Sequence, residues 1–179
     1  MSYELRIWDP SRHAPMPTSA REGVEIMERL TGAADTRNST LEKFGAWLVQ
    51  RYQAEPLEIQ DQGVAAFWGS DPQKTTTACR TAVYHLSLPS EACTKQMCLA
   101  VDAAAALGLV VVDDENGMCF LPDGTVFPED MREMWESTVA DVKAGPPDPN
   151  RTVPDNRTLL QTIAGELFDV IGRDNKRRS

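Results

Sequence analysis

SEACTKQMCLAVDAAAALGLVVVDDENGMCFLPDGTVFPED, residues 90–130, reads as helix, strand, tight turn, strand, turn and the start of a second helix. Ser90 is a good N-cap, and Glu91 lies in the first turn, where the helix dipole favours a carboxylate. Cys93, Met97, Val101 and Ala104 recur at helical spacing and give one apolar, small-residue face suited to lying close on a sheet; Gly108 can close the helix. Residues 109–112, Leu-Val-Val-Val, are a β-branched run too short for a helix. Asn116-Gly117 supplies the positive φ angles of a hairpin turn, and residues 118–121 return as its second strand. Pro122-Asp123-Gly124 turns the chain again, and Pro128 starts the next helix. This stretch is scaffold and carries no chemistry of its own.

Working outward, residues 3–8 alternate Tyr, Leu, Ile with Glu, Arg, Trp, the pattern of a half-buried strand. Ser19 with Glu22 forms a capping-box pair ahead of Val24, Met27 and Leu30. After a polar connector at 31–38, Ser39 with Glu42 opens a second helix, whose stripe is Leu41, Phe44, Leu48 and Tyr52 with Trp47 beside it. Residues 55–75 carry no clear period; their apolar patch at 64–68 suits a short strand or an irregular segment. Residues 76–88 read as a strand, Thr81, Val83 and His85 alternating with Ala82, Tyr84 and Leu86. Residues 128–143 form an amphipathic helix with Met131, Met134, Trp135, Thr138, Val139 and Val142 inward.

The expected architecture is an α+β domain over 1–145, with a small mixed or antiparallel sheet and helices packed mainly on one face. A stiff proline-rich linker follows at 146–157. A C-terminal amphipathic helix spans 158–172, with Leu160, Ile163, Leu167 and Ile171 on one side, and a basic tail ends the chain at 173–179. That last helix needs a surface to cover, on its own domain or on a second copy in a homodimer.

With 18 basic against 27 acidic residues the formal charge is −9, which disfavours nucleic acid and anionic membranes as partners and suits a basic one. No apolar run approaches the roughly 20 residues that span a bilayer, and no basic segment precedes an apolar one at the start, so a cytoplasmic location is expected. There the four cysteines stay reduced. Cys79, Cys93, Cys98 and Cys119 are spaced by 14, 5 and 21 positions, which matches neither a paired zinc framework nor a disulfide scaffold. A zinc site of His85 with Cys79, Cys93 and Cys98 therefore lacks its close ligand pairs. The two histidines read as one solvated (His13, in a proline-rich loop) and one structural (His85, on a strand). No nucleophile elbow, phosphate loop, dinucleotide fingerprint or HExxH helix occurs. Neither catalytic residues nor a cofactor nor a metal is expected.

One feature stands out from that background. Between residues 113 and 141 nine carboxylates face one base, Arg132. Asp113, Asp114, Glu115, Asp123, Glu129, Asp130, Glu133 and Glu136 are the candidate partner-binding residues, an electrostatic steering surface for a basic protein. The bland alternative is a solvated acidic face that serves solubility. Asp113 to Glu115 lacks the alternating ligand spacing of a calcium loop.

The opening MSYELRIWDP (residues 1–10), Trp68-Gly69, GLVVVDD (108–114) and LPDG (121–124) together resemble small bacterial proteins encoded beside secreted polymorphic toxins, of Rhs type or delivered by type VI secretion. Such proteins are regarded as immunity proteins. The resemblance implies a binding protein that neutralises a cognate toxin domain acting in the cytosol, by occluding its active or substrate site. Two other classes remain open: a metal-assisted enzyme using the carboxylate cluster, and a self-associating adaptor.

Overall fold

A computed structural model describes residues 2–89 and 93–145. The described residues fall almost wholly within one compact unit, Met1–Lys143. The linker, last helix and basic tail expected at 146–179 lie outside the described residues, as do the Ser90 cap and Glu91.

Five strands, β1 (Ser2–Trp8), β2 (Val83–Pro89), β3 (Val110–Asp113), β4 (Met118–Phe120) and β5 (Val126–Phe127), form one sheet in the order β2-β1-β3-β4-β5. Every pairing is antiparallel. β1 is therefore a central strand, with Leu5 opposite Leu86 on one side and Asp113 on the other. Five helices, α1 (Ala20–Leu30), α2 (Ser39–Gln53), α3 (Leu57–Gln60), α4 (Val64–Trp68) and α5 (Pro72–Ala78), fill the chain between β1 and β2. α6 (Cys93–Ala106) precedes β3, and a 3-10 turn (Glu129–Met131) leads into α7 (Arg132–Ala144).

Alternation along the strands sorts the core into two layers. Leu5, Ile7, Tyr84, Leu86, Leu88, Val111 and Phe120 face a large cluster with Phe44, Leu48, Trp68, Ala100, Ala104 and Trp135, contributed by α2, α4, α6 and α7. Trp8, Val83, Val110, Val112 and Cys119 face the other way, against Ile26 and Met27 of α1. Helices thus lie mainly on one face, and α1 covers the other. Trp8 shares its face with Glu4 and Arg6, as the alternation indicated, but α1 buries it completely.

Local chemistry explains where each helix begins. Ser19 caps α1 by accepting from the Glu22 amide at 3.2 Å, while the Glu22 carboxylate turns back to the Thr18 amide (2.7 Å). The cap of α2 is Asn38, one residue earlier than the Ser39 box; its Oδ1 accepts from Thr40 and Leu41, and Glu42 pairs with Arg37 instead. The patch at 64–68 is helix α4, neither strand nor irregular, with Phe67 and Trp68 buried and the Trp68 indole donating to the Leu48 carbonyl at 3.2 Å.

The strand expected over 76–88 is also corrected: residues 72–78 are helix α5, and β2 begins at Val83. Asp71 caps α5 and Pro72 occupies its first turn. The threonines of this segment bond back along the helix, Thr76 Oγ1 to the Pro72 carbonyl (2.8 Å) and Thr77 Oγ1 to that of Gln73 (2.7 Å).

No helix among the described residues is long and apolar enough to cross a membrane.

Candidate acidic interface

The antiparallel register decides which of the candidate carboxylates share an end of the sheet. β3 and β4 are joined by residues 114–117, with Asp113 opposite Met118. β5 runs back beside β4, with Cys119 opposite Phe127, so the chain leaves β5 towards the hairpin tip. Glu129 and Asp130 therefore follow β5 at the end of the sheet that carries Asp114 and Glu115. All four are exposed. Asp123 sits in the turn before β5, at the opposite end, where its Oδ1 accepts from the Thr125 amide (2.9 Å); that bond holds its carboxyl below the usual range. Glu133 and Glu136 are exposed on α7, Glu136 in an i,i+4 pair with Arg132 at 3.0 Å. Asp114 meets Arg6 Nη2 at 3.4 Å.

Asp113 does not belong to this surface. It is fully buried, accepting from the Tyr3 hydroxyl, from Asn116 Nδ2 (2.8 Å) and from the Asn116 amide (3.1 Å). Burial pushes its carboxyl above the usual carboxylate range, against the effect of those hydrogen bonds, and pushes the Tyr3 phenol up as well. The turn itself also differs from expectation. Gly117 has φ +63°, and no non-glycine residue among those described has a positive φ, so Asn116 is there for its side chain and not for a left-handed backbone. The three-residue spacing from Asp113 to Asn116 was a local signal of that bond; Tyr3, 110 positions away, gave none.

A second polar cluster, missed in the sequence, lies beyond the other end of β1. His13 is not solvated: its Nε2 lies 2.8 Å from Asp35 Oδ2, and Arg12 Nη2 reaches Asp35 Oδ1 at 2.9 Å. Burial opposes the charge on Asp35, but hydrogen bonds from His13 and the Thr36 amide, with the Arg12 charge, hold its carboxyl below the usual range. Its contribution to stability is thus complete above the unfolded carboxylate value near 4 and is lost as the pH falls through the lower folded value. Asp35→Asn is expected to lower stability by about 1–2 kcal/mol at pH 7. The gap to the parent should narrow as the pH falls below about 4, which urea unfolding at pH 7 and pH 3 measures.

An oriented imidazole is one part of a general base, but among the described residues His13 is hydrogen-bonded to no side chain other than Asp35. His85 lies on the opposite sheet face from Cys98, its Nδ1 3.0 Å from Glu4 Oε1. Burial pushes the Cys98 thiol up to about 11 and that of Cys119 to about 12, so both stay protonated and are poor nucleophiles. Among the described residues no three of His, Cys, Asp and Glu converge as a metal-binding group. A cavity of about 230 Å³ opens between α6, β4–β5 and α7, lined by Val101, Phe120, Trp135, Val139 and Val142 with Asp102 and Lys143 as its charged members.

No protein-family model matches the chain, and neither a curated protein nor a solved structure matches it.

Proposed function

We propose that this chain is an immunity protein: it binds a basic toxin domain and neutralises it by covering the active or substrate site. The observation that carries the proposal is the sheet end where Asp114 and Glu115, between β3 and β4, and Glu129 and Asp130, just after β5, stand exposed, with Arg6 paired to Asp114 there. A toxin that cleaves nucleic acid or transfers phosphate needs a cationic cleft, and carboxylates at a rigid edge offer it the charge of a phosphate backbone. The sequence motifs of residues 1–10 and 108–124 support the same reading.

The test is co-expression with the toxin domain encoded in the adjacent reading frame. The expected result is relief of growth arrest and a stoichiometric complex whose association rate falls as salt is raised. Growth arrest that persists, with no complex in low salt, would overturn the proposal.

A further inference from the structure

The root of the β3–β4 hairpin is held from both faces of the sheet by one strand. On the side of the large core, the Tyr3 hydroxyl donates to Asp113, and Asn116 Nδ2 bridges Asp113 (2.8 Å) and the Tyr3 oxygen (2.7 Å). On the other side, Arg6 reaches Asp114 at 3.4 Å. Two residues of β1 therefore grip two consecutive residues of the hairpin, from opposite directions. A fully buried carboxylate is an expensive way to close a four-residue loop, since an ordinary hairpin turn needs none. What the arrangement adds is a single loop conformation.

We infer that Tyr3 is a positioning residue for partner recognition: through Asp113 and Asn116 it fixes residues 114–117 as a preformed element that presents Glu115 to a basic polypeptide in one orientation. The inference rests on the proposed binding role for its partner, but not for the loop's rigidity. A preformed loop leaves the bound state with less order to acquire, so its loss shows in dissociation. Charge-driven encounter stays unchanged, because Tyr3→Phe alters no charge.

The experiment uses the full chain with Tyr3→Phe, with Asn116→Ala as a second route into the same network, and with each combined with Glu115→Gln. Hydrogen exchange of the free protein comes first. The amide of residue 116, which donates to the Asp113 carboxylate at 3.1 Å, should exchange about tenfold faster in both variants, while those of α2 stay as in the parent. Against the toxin domain of the adjacent reading frame, Tyr3→Phe should dissociate about fivefold faster with an unaltered association rate. In the Glu115→Gln background that fivefold effect should vanish. Nona-arginine, a probe of charge alone, should bind parent and Tyr3→Phe equally.

Unchanged loop exchange, or an equal dissociation effect with and without Glu115, overturns the inference while leaving the binding role intact. Failure of the parent itself to bind the toxin domain overturns both.

Discussion

A chain carrying Asp114→Lys, Glu115→Lys, Glu129→Lys and Asp130→Lys is expected to associate with its basic partner about 100-fold more slowly than the parent at low ionic strength. The four changes take the formal charge from −9 to −1 and invert the sign of one sheet end. Interactions between exposed charges fade beyond roughly 10 Å at 0.1 M salt, so the difference between the two proteins should shrink as salt is added. Stopped-flow mixing over a salt series measures both effects. The control reverses four exposed carboxylates elsewhere, Glu25 and Glu28 on α1 with Glu58 and Asp61 at α3, for the same change in formal charge. If that control slows association as much, net charge and not the hairpin end governs encounter. The surface assignment fails outright if the four-fold reversal leaves association and protection as they were.

The second large effect is on stability. Gly69→Ala should lower the unfolding free energy by about 3 kcal/mol, and the Tm by about 10 °C. Gly69 follows α4 at φ +76° and ψ −17°, the left-handed conformation that a side chain disfavours by about 1–2 kcal/mol. A Cβ there would also run into the carbonyl oxygen of Ser87, with the Ser87 carbonyl carbon at 3.2 Å. Neither backbone yields easily: one side holds the buried Trp68, and the other is an outer strand whose Leu86 and Leu88 are fully buried. Gly32→Ala isolates the first of the two contributions, because Gly32 has φ +79° and nothing within 4 Å of an added Cβ. Thermal unfolding of the two variants should differ by the steric part, about 1–2 kcal/mol.

The run from α6 through the hairpin to α7 was legible because its determinants are local: helical spacing, a β-branched run, a turn glycine and an apolar stripe. Residues 55–78 were not, and the reason differs for each piece. α3 and α4 are too short to show a period. α5 does carry a signal, Asp71-Pro72 as cap and first turn, but its seven residues run on into the alternation of 81–86 that marks a strand.

The acidic run was legible as charge but not as surface. Only the three-residue spacing to Asn116 sets Asp113 apart from Asp114, and its burial depends on a phenol from the far end of the chain. The strand order was equally invisible, since alternation along 3–8 marks a strand without saying which two neighbours it takes. His13 was misread for the same reason: its partner Asp35 comes from a connector that reads only as polar.

The place of β1 in the middle of the sheet has a consequence for synthesis. Its residues leave the ribosome before those of its two neighbours, which are made well after it: the partners Leu86 and Asp113 of Leu5 lie 81 and 108 positions further on. Until residue 113 has emerged, a nascent chain carries the aromatic and aliphatic side chains of β1 with at least one hydrogen-bonding edge unclaimed, a state open to wrong pairing. Ribosome-bound chains halted before residue 110 should therefore be captured by chaperones and cleaved readily by protease, and resistance should appear only once the fourth strand is free of the exit tunnel.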